Sequence, residues 1–585
     1  MTQPRHTSIP HSAIRRQLEK ITAHDLFARS ERMARFLRFA VDQVLQGKAG
    51  DLKEYLIGVE VFDRADTYDP RVDPIVRVEA RRLRAKLKSY YEHAGERDEI
   101  LIDFATGTYA PEIRLRENPR EVPDPPASTM AVLPFANLSG SADNDYFSDG
   151  LTEELIHALT KFSGMRVLAW NSAARLRGIE QDVHEIRRQL HVANVLTGSV
   201  RIAGSSLRVR AQLIDTATGI YLWSETFDRQ MQDVFAIQEE IARAIVRTLR
   251  VQLATGAKIG IGARTPTSVS AYDLSLKGRY HLHRRTPGEL AQALQYFEAA
   301  ADADPASALA YAGIADALCL HVDYGLLHPA DGIPKVRAAA TRAIEIDPGL
   351  AEAYPSLAVI RAHWDREWAD AECLYRKAIL LNPGYATAHH WLATDYLAVV
   401  GRLDEARHEI DIALQLDPLS SIIHEGRASL STYERSYDEA IRAYRELVEF
   451  DPSFYKAYTG MGRAHALQGN YREALALLEK GRSLAGDVPN ILGALGQVLA
   501  FAGDFERARQ ILAQLTAKSI EFYVPSTCFA LIHLGLADVD RALDWLEKGC
   551  EQRELPMATL KIHPIYDPLR SEPRFQAILQ RMRFP

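Results

Sequence analysis

The sequence predicts a multidomain, mostly α-helical protein with a helical N-terminal domain, a central α/β domain and a C-terminal α-solenoid. Three observations support this fold class. A basic amphipathic helix at 74–91 precedes a hairpin pattern, apolar residues change from helical to strand spacing within 130–254, and Asp-Pro or Asn-Pro recurs through the second half of the chain. At 585 residues the chain is also too long for one core, so several domains are expected.

The charge balance limits how nucleic acid could be bound. The formal net charge is -7, and residues 1–115 hold 20 Lys and Arg against 18 Asp and Glu. Any affinity for DNA must therefore come from a local basic patch, because the field of the whole domain is weak.

Cysteine usage and hydropathy predict the cellular compartment of the protein. The four cysteines are scattered without a CxxC pair, which is typical of reduced packing residues. No stretch approaches the ~20 apolar residues of a membrane span, and the N-terminus lacks the apolar segment of an export signal. We therefore expect a cytoplasmic protein that does not enter a membrane.

The N-terminal domain is predicted over 12–115, after a disordered start at 1–10. A short amphipathic helix that packs beneath the winged helix is predicted at 12–27. Two scaffold helices, at 31–46 and 52–62, are expected to hold a fourth, basic helix in place, and Ser30 and Asp51 are the capping residues before them.

The fourth helix, at 74–91, has two faces that serve different purposes. Its apolar stripe must dock on a core and consists of Val76, Ala80, Leu83, Leu87 and Tyr90. Its basic stripe, roughly 100° around the axis, consists of Arg77, Arg81, Arg84 and Lys88. A docked helix with a cationic ridge suits phosphates and guanine edges in a major groove. The alternative is a solvated surface helix, since most charged runs only face water.

The residues that follow favour the DNA interpretation. The helix ends near Gly95, and residues 100–104, a turn at 105–107 and residues 108–111 predict a β-hairpin. Helices followed by a hairpin in this order are typical of a winged helix-turn-helix, in which the hairpin is the wing.

This segment resembles the DNA-binding domain of OmpR/PhoB-type regulators. The matching residues are Arg82-Leu83-Arg84-Ala85-Lys86-Leu87 in the recognition helix and Gly107-Thr108-Tyr109 in the wing. The sequence departs from the family in the acidic loop before the helix, which holds Asp63, Asp66, Asp69 and Asp73. The resemblance implies that duplex DNA is contacted by Arg77, Arg81, Arg82, Arg84, Lys88 and Thr108.

A proline-rich linker at 116–129 leads to an α/β domain predicted over 130–254. Alternating apolar and polar residues predict three antiparallel strands between Val195 and Asp228. The domain resembles the TolB N-terminal-like domain, which implies a binding or assembly module. Three phrases carry this resemblance: Ala131-Val-Leu-Pro-Phe-Ala-Asn-Leu, Tyr146-Phe-Ser-Asp-Gly-Leu-Thr-Glu-Glu-Leu and Gln212-Leu-Ile-Asp-Thr-Ala-Thr-Gly.

Motifs for catalysis and metal binding are not found in the sequence. Asp143, Asp145 and Asp149 lack the spacing of a calcium loop, so solvated turn residues are the simpler interpretation. The chain has no GxxxxGK[ST], GxSxG or HExxH motif. We therefore predict no enzymatic activity, no cofactor and no metal.

From 268 to 585 the sequence is helical and periodic. Asp-Pro or Asn-Pro recurs at intervals of 43, 35, 35 and 34 residues, and the last three match the ~34-residue tetratricopeptide period. Gly462 and Ala474 are small where paired helices would cross closely. The segment resembles a tetratricopeptide repeat (TPR) solenoid with a C-terminal capping helix, which implies a groove for a protein or peptide ligand. Lys456 and Arg463 are the groove candidates for an acidic peptide, with solvated charges as the alternative.

Two functions remain open at this stage. The domain order favours a one-component transcriptional regulator that binds duplex DNA with the winged helix and a protein partner with the repeat groove. The alternative is a non-enzymatic interaction scaffold whose N-terminal domain does not bind DNA, which the balanced charge of residues 1–115 favours. The sequence does not identify the DNA site, the effector or the partner, and a homo-oligomer also remains open.

Overall fold

The computed structural model of the protein divides into two compact units, Met1–Asp124 and Pro125–Pro585. Residues 1–9 of the predicted disordered start and 116–124 of the predicted linker lie outside the described residues. The structure describes residues 10–28, 30–65, 67–70, 73–92, 95, 98, 100–104, 108–115, 125–139, 144–160, 165–176, 183–230, 234–249 and 268–585.

The N-terminal unit consists of helices followed by an antiparallel strand pair, which confirms the predicted hairpin. Ile100 lies opposite Leu115 and Asp103 opposite Glu112. The second strand begins at Glu112 instead of 108, because Pro111 has no N–H to donate to a ladder. The elements are α1 (His11–Ala23), α2 (Asp25–Ala28), α3 (Glu31–Leu45), α4 (Glu54–Phe62), α5 (Ile75–Glu92), β1 (Ile100–Asp103) and β2 (Glu112–Leu115).

Helix α5 is docked by the apolar stripe that its sequence predicts. All five residues of that stripe are at most 1% exposed. They pack in one core with Phe36 and Leu37 of α3 and with Ile102 of β1. Fully burying a side chain of this size contributes about 1.5–3 kcal/mol, so the stripe fixes the rotation of α5 about its own axis.

The central part of the second unit is a six-stranded sheet with helices, ordered β5-β3-β6-β7-β8, with β4 paired to β6. Strand β3 is parallel to β5 and β6, and β6, β7 and β8 form the predicted antiparallel meander. Its elements are β3 (Thr129–Val132), β4 (Ala136–Asn137), α6 (Asp145–Thr160), β5 (Arg166–Val167), α7 (Trp170–Ala174), α8 (Val183–Leu190), β6 (Asn194–Ala203), β7 (Ser206–Asp215), β8 (Tyr221–Gln230) and α9 (Val234–Thr248).

The remainder of the chain is a helical array, as the periodicity predicts. Two of its helices, α14 and α16, continue into π-helical turns at Ile360–Asp365 and Leu392–Leu397. The helices of the array are α10 (Val269–Leu282), α11 (Pro287–Ala303), α12 (Ala308–Asp323), α13 (Pro329–Ile346), α14 (Tyr354–Val359), α15 (Trp368–Leu381), α16 (Ala386–Trp391), α17 (Ala398–Val400), α18 (Leu403–Leu416), α19 (Ser421–Tyr433), α20 (Tyr437–Phe450), α21 (Tyr455–Leu467), α22 (Tyr471–Ala485), α23 (Pro489–Phe501), α24 (Phe505–Glu521), α25 (Ser526–Gly535), α26 (Val539–Glu551) and α27 (Pro573–Met582).

The periodic Asp-Pro and Asn-Pro dipeptides end helices. A residue before proline is disfavoured in the helical conformation, and each of these Asp or Asn residues is a C-cap in an extended or otherwise non-helical conformation. Oδ1 of Asp347 accepts a hydrogen bond from the backbone N–H of Gly349 at 2.8 Å, which makes a local turn. The C-caps are Asp304, Asp347, Asn382, Asp417 and Asp451.

The last residues fold back onto the early repeats. Trp368 Nε1 donates to the carbonyl of Met582 at 3.3 Å, and Arg366 donates to the carbonyl of Arg581 at 2.6 Å. Asp567 accepts from Arg435 at 2.9 Å. Helix α27 also packs on α26, so the C-terminal segment (residues 555–585) caps the last repeat and contacts residues more than 200 positions earlier in the chain.

The small residues in the repeats are required by close helix packing. A Cβ atom on Gly462 would lie 3.0 Å from Cγ of Leu478 and 3.1 Å from the carbonyl oxygen of Ala474. By contrast, a Cβ atom on Gly288, in the first turn of α11, would meet no atom within 4 Å.

We therefore expect Gly462→Val to lower the melting temperature of the protein, because overpacking a tight helix contact costs about 1–3 kcal/mol. The matched change Gly288→Ala should leave the melting temperature unchanged or slightly raised, since alanine favours the helix. Thermal unfolding followed by circular dichroism measures both. Equal effects of the two variants would contradict the packing interpretation.

Candidate nucleic-acid interface and repeat-array cavity

Arginine dominates the exposed side of α5, which we call the outward face and which consists of Arg77, Val78, Arg81, Arg82 and Ala85. Arg82 forms an ion pair with Glu79 at 2.8 Å, one turn back on the same helix. No hydrogen bond or ion pair joins Arg81 to another residue of the described ranges. Arg81 therefore presents its full set of donors to solvent. The side chain of Lys88 lies outside the described residues.

Arg84 faces the hairpin, although its spacing assigned it to the same basic stripe as Arg81. Its Nε donates to the carbonyl of Phe104 at 3.0 Å, and Nη2 donates to the carbonyl of Thr108 at 2.8 Å. The hydroxyl of Thr108 accepts the backbone N–H of Ala110 at 3.1 Å. Arg84 thus joins the recognition-helix candidate to the connection between β1 and β2.

Glu54 connects three elements of the N-terminal unit. Its Oε1 accepts from the hydroxyl of Tyr109 at 2.6 Å, and its Oε2 lies 3.2 Å from Nε of Arg77. Burial and the Glu54 carboxylate raise the pKa of Tyr109. Helix α4 therefore helps to fix both α5 and the segment before β2.

Two aspartates of the acidic loop before α5 pair with arginines that are not on the outward face. Asp63 pairs with Arg35 at 2.9 Å, and this hydrogen bond lowers the pKa of Asp63. Asp73 pairs with Arg64 at 2.8 Å and also accepts the backbone N–H of Ile75 at the start of α5. These two carboxylates consequently do not neutralise the outward face. Asp66 lies outside the described residues.

In the second unit, a partly buried charge cluster joins the central domain to the repeat array. Nε of Arg279 on α10 lies 3.6 Å from Glu153 of α6, and Arg279 also pairs with Glu154. His283 Nε2 lies 3.4 Å from Glu153. Burial alone would raise the pKa of Glu153, but Arg279 and His283 lower it to about 2.

A second contact joins α7 to the helix ends of the array. Ser172 hydrogen-bonds Asp417 at 2.5 Å and accepts the backbone N–H of Leu419 at 2.8 Å. Arg175 pairs with Asp451 at 2.6 Å and stacks over the ring of Phe450, 4.4 Å from its centroid. Two of the repeat-ending aspartates therefore also bind the central domain, which the sequence pattern alone gave no reason to expect.

Lys456 and Arg463 lie on α21 and line a cavity of about 330 Å³ inside the array. The Nζ of Lys456 is 4.1 Å from the ring centroid of Tyr324. Arg463 Nη2 donates to the carbonyl of Asn490 at 3.2 Å. Residues of the C-terminal segment also line the cavity, and we call them its roof; the two cations therefore do not lie on a groove formed by the repeat helices alone. The roof residues are Pro556, Thr559, His563, Ile565 and Tyr566.

Comparison with known protein families agrees with part of this organisation. Residues 126–244 match the family model for the second domain of HilA/YgeH-like transcriptional regulators. Residues 395–455, 432–487 and 466–519 match tetratricopeptide repeat models. The C-terminal helices are therefore a TPR-type array. The match over 126–244 is to the HilA-like domain, which differs from the TolB-like resemblance of the sequence phrases.

Two curated relatives each match more than half of this chain. Putative adenylate cyclase 3 of Rhizobium meliloti is 34% identical over 315 residues, which are 52% of this chain and 46% of that protein. Transcriptional regulator HilA of Salmonella typhimurium is 23% identical over 335 residues, which are 56% of this chain and 57% of that protein. The chain thus spans about half the length of the curated relatives it matches.

Among solved structures, a tetratricopeptide repeat protein from Parabacteroides merdae is 20% identical to this chain. The match covers 46% of this chain and 100% of that protein, with a TM-score of 0.33. No inference rests on so distant a superposition.

The prediction that the chain has no enzymatic activity is contradicted by the 34% identical relative, which is named as a putative adenylate cyclase. The motifs whose absence supported that prediction are those of hydrolases, zinc peptidases and phosphate-binding loops. Their absence says nothing about a cyclase, so the prediction was wrong to exclude enzymes as a class.

In the described ranges, no three or more His, Cys, Asp and Glu side chains are grouped closely enough to hold a metal ion. Asp143, one of the three acidic residues considered from the sequence, lies outside those ranges. In the same ranges, no helix combines the length and apolar character needed to cross a bilayer.

The charge cluster of Glu153 gives a pH-dependent prediction. Its pKa is about 2 in the folded protein against 4.5 for an ordinary glutamate. A lowered pKa stabilises the fold at pH values above 4.5, and this contribution is lost as the pH falls toward 2; it is at most about 3 kcal/mol. We expect Glu153→Gln to lower the melting temperature at pH 7, with a difference from wild type that shrinks between pH 4.5 and 3.

The control is Glu298→Gln, the same chemical change on the exposed side of α11. It should change the melting temperature little at any pH. A difference between Glu153→Gln and wild type that stays constant from pH 7 to 3 would contradict the proposed charge cluster.

Proposed function

We propose that the protein is a one-component transcriptional regulator. In this proposal, residues 12–115 form a winged helix of the OmpR/PhoB type that binds duplex DNA, and the TPR array of 268–585 binds a protein partner. The observation that carries the proposal is the exposed, unpaired Arg81 on a docked helix beside a hairpin, in a chain whose residues 126–244 match a HilA-like regulator domain.

The outward face of α5 has the chemistry to read a major groove. A major groove admits one α-helix, and an arginine donates two hydrogen bonds to O6 and N7 of guanine. Val78 is 44% exposed on the same face as Arg81, and an apolar side chain in that position suits the methyl group of thymine. Arg77 and Arg82 are ion-paired but more than half exposed, so they remain within reach of phosphates.

The hairpin acts as the wing in this proposal. Arg84 holds two carbonyls of its connecting segment, and Tyr109 is bound to Glu54. Such contacts orient the hairpin relative to α5 before DNA binds, which reduces the entropy lost on binding. Arg84 therefore acts as a positioning residue instead of a direct DNA contact.

The rest of the chain supports a role in recruiting or sensing a protein partner. Residues 130–254, which resemble a TolB-like assembly module, are joined to the TPR array through Arg279 and Arg175. A partner that binds the repeats then binds an array that is in direct contact with the central domain.

We expect Arg81→Ala to weaken specific DNA binding by the full-length protein about 5- to 100-fold, because one bidentate base contact is worth about 1–3 kcal/mol. Duplexes selected from a random library by the wild-type chain are the probe, and fluorescence anisotropy at several salt concentrations is the measurement. Arg16→Ala removes the same charge from the exposed side of α1 and should change the affinity less than about twofold.

Two results would overturn the proposal. One is that the wild-type chain enriches and retains no duplex at low salt. The other is that Arg81→Ala and Arg16→Ala bind equally well.

A separate prediction concerns Arg84. Arg84→Ala should weaken DNA binding and also speed hydrogen exchange of the amides in β1 and β2, because the hairpin loses two anchoring hydrogen bonds. Arg81→Ala should weaken binding with unchanged exchange in these strands. If Arg84→Ala leaves hairpin exchange at the wild-type rate, its positioning role is contradicted.

An interaction scaffold is the second candidate function. It is favoured by the ion pairs that Arg77 and Arg82 make with Glu54 and Glu79, and by the small charge surplus of residues 1–115. The selection experiment above separates the two candidates, because a scaffold that does not bind DNA enriches no duplex.

A further inference from the structure

The cavity inside the TPR array has the volume, charge and lining residues of a small-molecule site. We call it the inner cavity; it is lined among others by Tyr324, Glu425, Lys456, Arg463, Asn490 and Thr559. Its volume of about 330 Å³ falls in the lower part of the range of ligand pockets, about 300–1,000 Å³.

The roof of the inner cavity is fixed to the repeat helices. The C-terminal segment that forms the roof is held by Lys561, which donates to the carbonyl of Val400 at 3.2 Å, and by the ion pair of Arg435 with Asp567 at 2.9 Å. The volume between the roof and the repeat helices suits a ligand of one ring with a few substituents.

The cations of the inner cavity have donors to spare. Within the described residues, neither Lys456 nor Arg463 has a carboxylate at ion-pair distance, and Nε of Arg463 is buried without an acceptor. A buried guanidinium keeps its charge, and its planar fork matches a carboxylate or phosphate. Two carboxylates, Asp323 and Glu425, also line the cavity; burial raises the pKa of Glu425, against the opposing effect of Lys456 and Arg463.

The residues that line the inner cavity suit a ligand whose anionic group is attached to an apolar ring. Five tyrosine rings line the cavity, and hydroxyl groups of serine and threonine lie between them. Tyrosine supplies a large apolar face with a polar tip, which is favourable for holding a planar ligand. The tyrosines are Tyr324, Tyr433, Tyr444, Tyr455 and Tyr566.

We propose that the inner cavity binds a small anionic molecule with a ring-sized body, whose carboxylate or phosphate is held by Arg463 and Lys456. This binding goes beyond the proposed control of transcription and does not require DNA. Its test is therefore independent of the DNA experiments.

The test is isothermal titration of the full-length protein with phenyl phosphate and with phenylacetate. At least one of these anions should bind at one site per chain, and the stronger one identifies which anionic group the site prefers. Benzyl alcohol, which has a similar ring without charge, should bind at least about tenfold more weakly.

Variants locate the site. Arg463→Gln should weaken binding of the preferred anion at least about tenfold, because a charge-assisted hydrogen bond is lost. Thr559→Phe should also weaken it by filling the cavity from the roof, while every cation is retained. Arg472→Gln is the matched control, since Arg472 lies exposed on α22 and should bind like wild type. Far-ultraviolet circular dichroism verifies that each variant is folded.

Three results would overturn the proposal. Neither anion binds at concentrations up to about 10 mM; benzyl alcohol binds as tightly as the anions; or folded Arg463→Gln and Thr559→Phe both bind as wild type does.

Discussion

Burial of one apolar stripe on each helix determines where the charged side chains of this protein point. On α5, the five stripe residues are removed from water, and this fixes Arg81 outward and turns Arg84 toward the hairpin. On α21, burial of Ala457, Met461 and Ala464 has the opposite result, because Lys456 and Arg463 are directed into the array. The hydrophobic effect therefore places the basic side chains of α5 on the surface and those of α21 along the inner cavity.

Local patterns in the sequence predicted the elements well. The apolar stripe of α5, the three-stranded meander and the helix-ending Asp-Pro dipeptides each depend on residues close together in the chain. Side-chain spacing of 3.6 or 2 residues is a property of the element itself, so it can be recognised without tertiary structure. For the same reason Gly462, small where α21 crosses α22, was recognised from its place in the repeat.

Contacts between distant residues were not predictable in this way. Ser172 binds Asp417, which is 245 residues away, and Arg435 binds Asp567, which is 132 residues away. No periodicity links such pairs. The spacing of the basic stripe likewise could not show that Arg84 would donate to hairpin carbonyls, since that depends on how the hairpin packs. The roof over Lys456 and Arg463 was missed because a regular TPR array would leave its concave side open.

Many arginines in this chain connect structural elements through hydrogen bonds and ion pairs instead of facing only solvent. Arg84 joins a helix to a hairpin, Arg175 and Arg279 join the central domain to the repeats, and Arg366 joins an early repeat to the C-terminal segment. A guanidinium is suited to this role because its long stem and five donors satisfy two or more acceptors at once.

A count of basic residues therefore says little about ligand binding, and what matters is which donors remain available. Arg81 on the outward face of α5 and Arg463 in the inner cavity retain such donors in the described structure, the first toward solvent and the second toward an enclosed space. Arg81 is therefore accessible to an anion carried on a large surface, as the phosphates of a duplex are, whereas the cavity volume at Arg463 suits a small one.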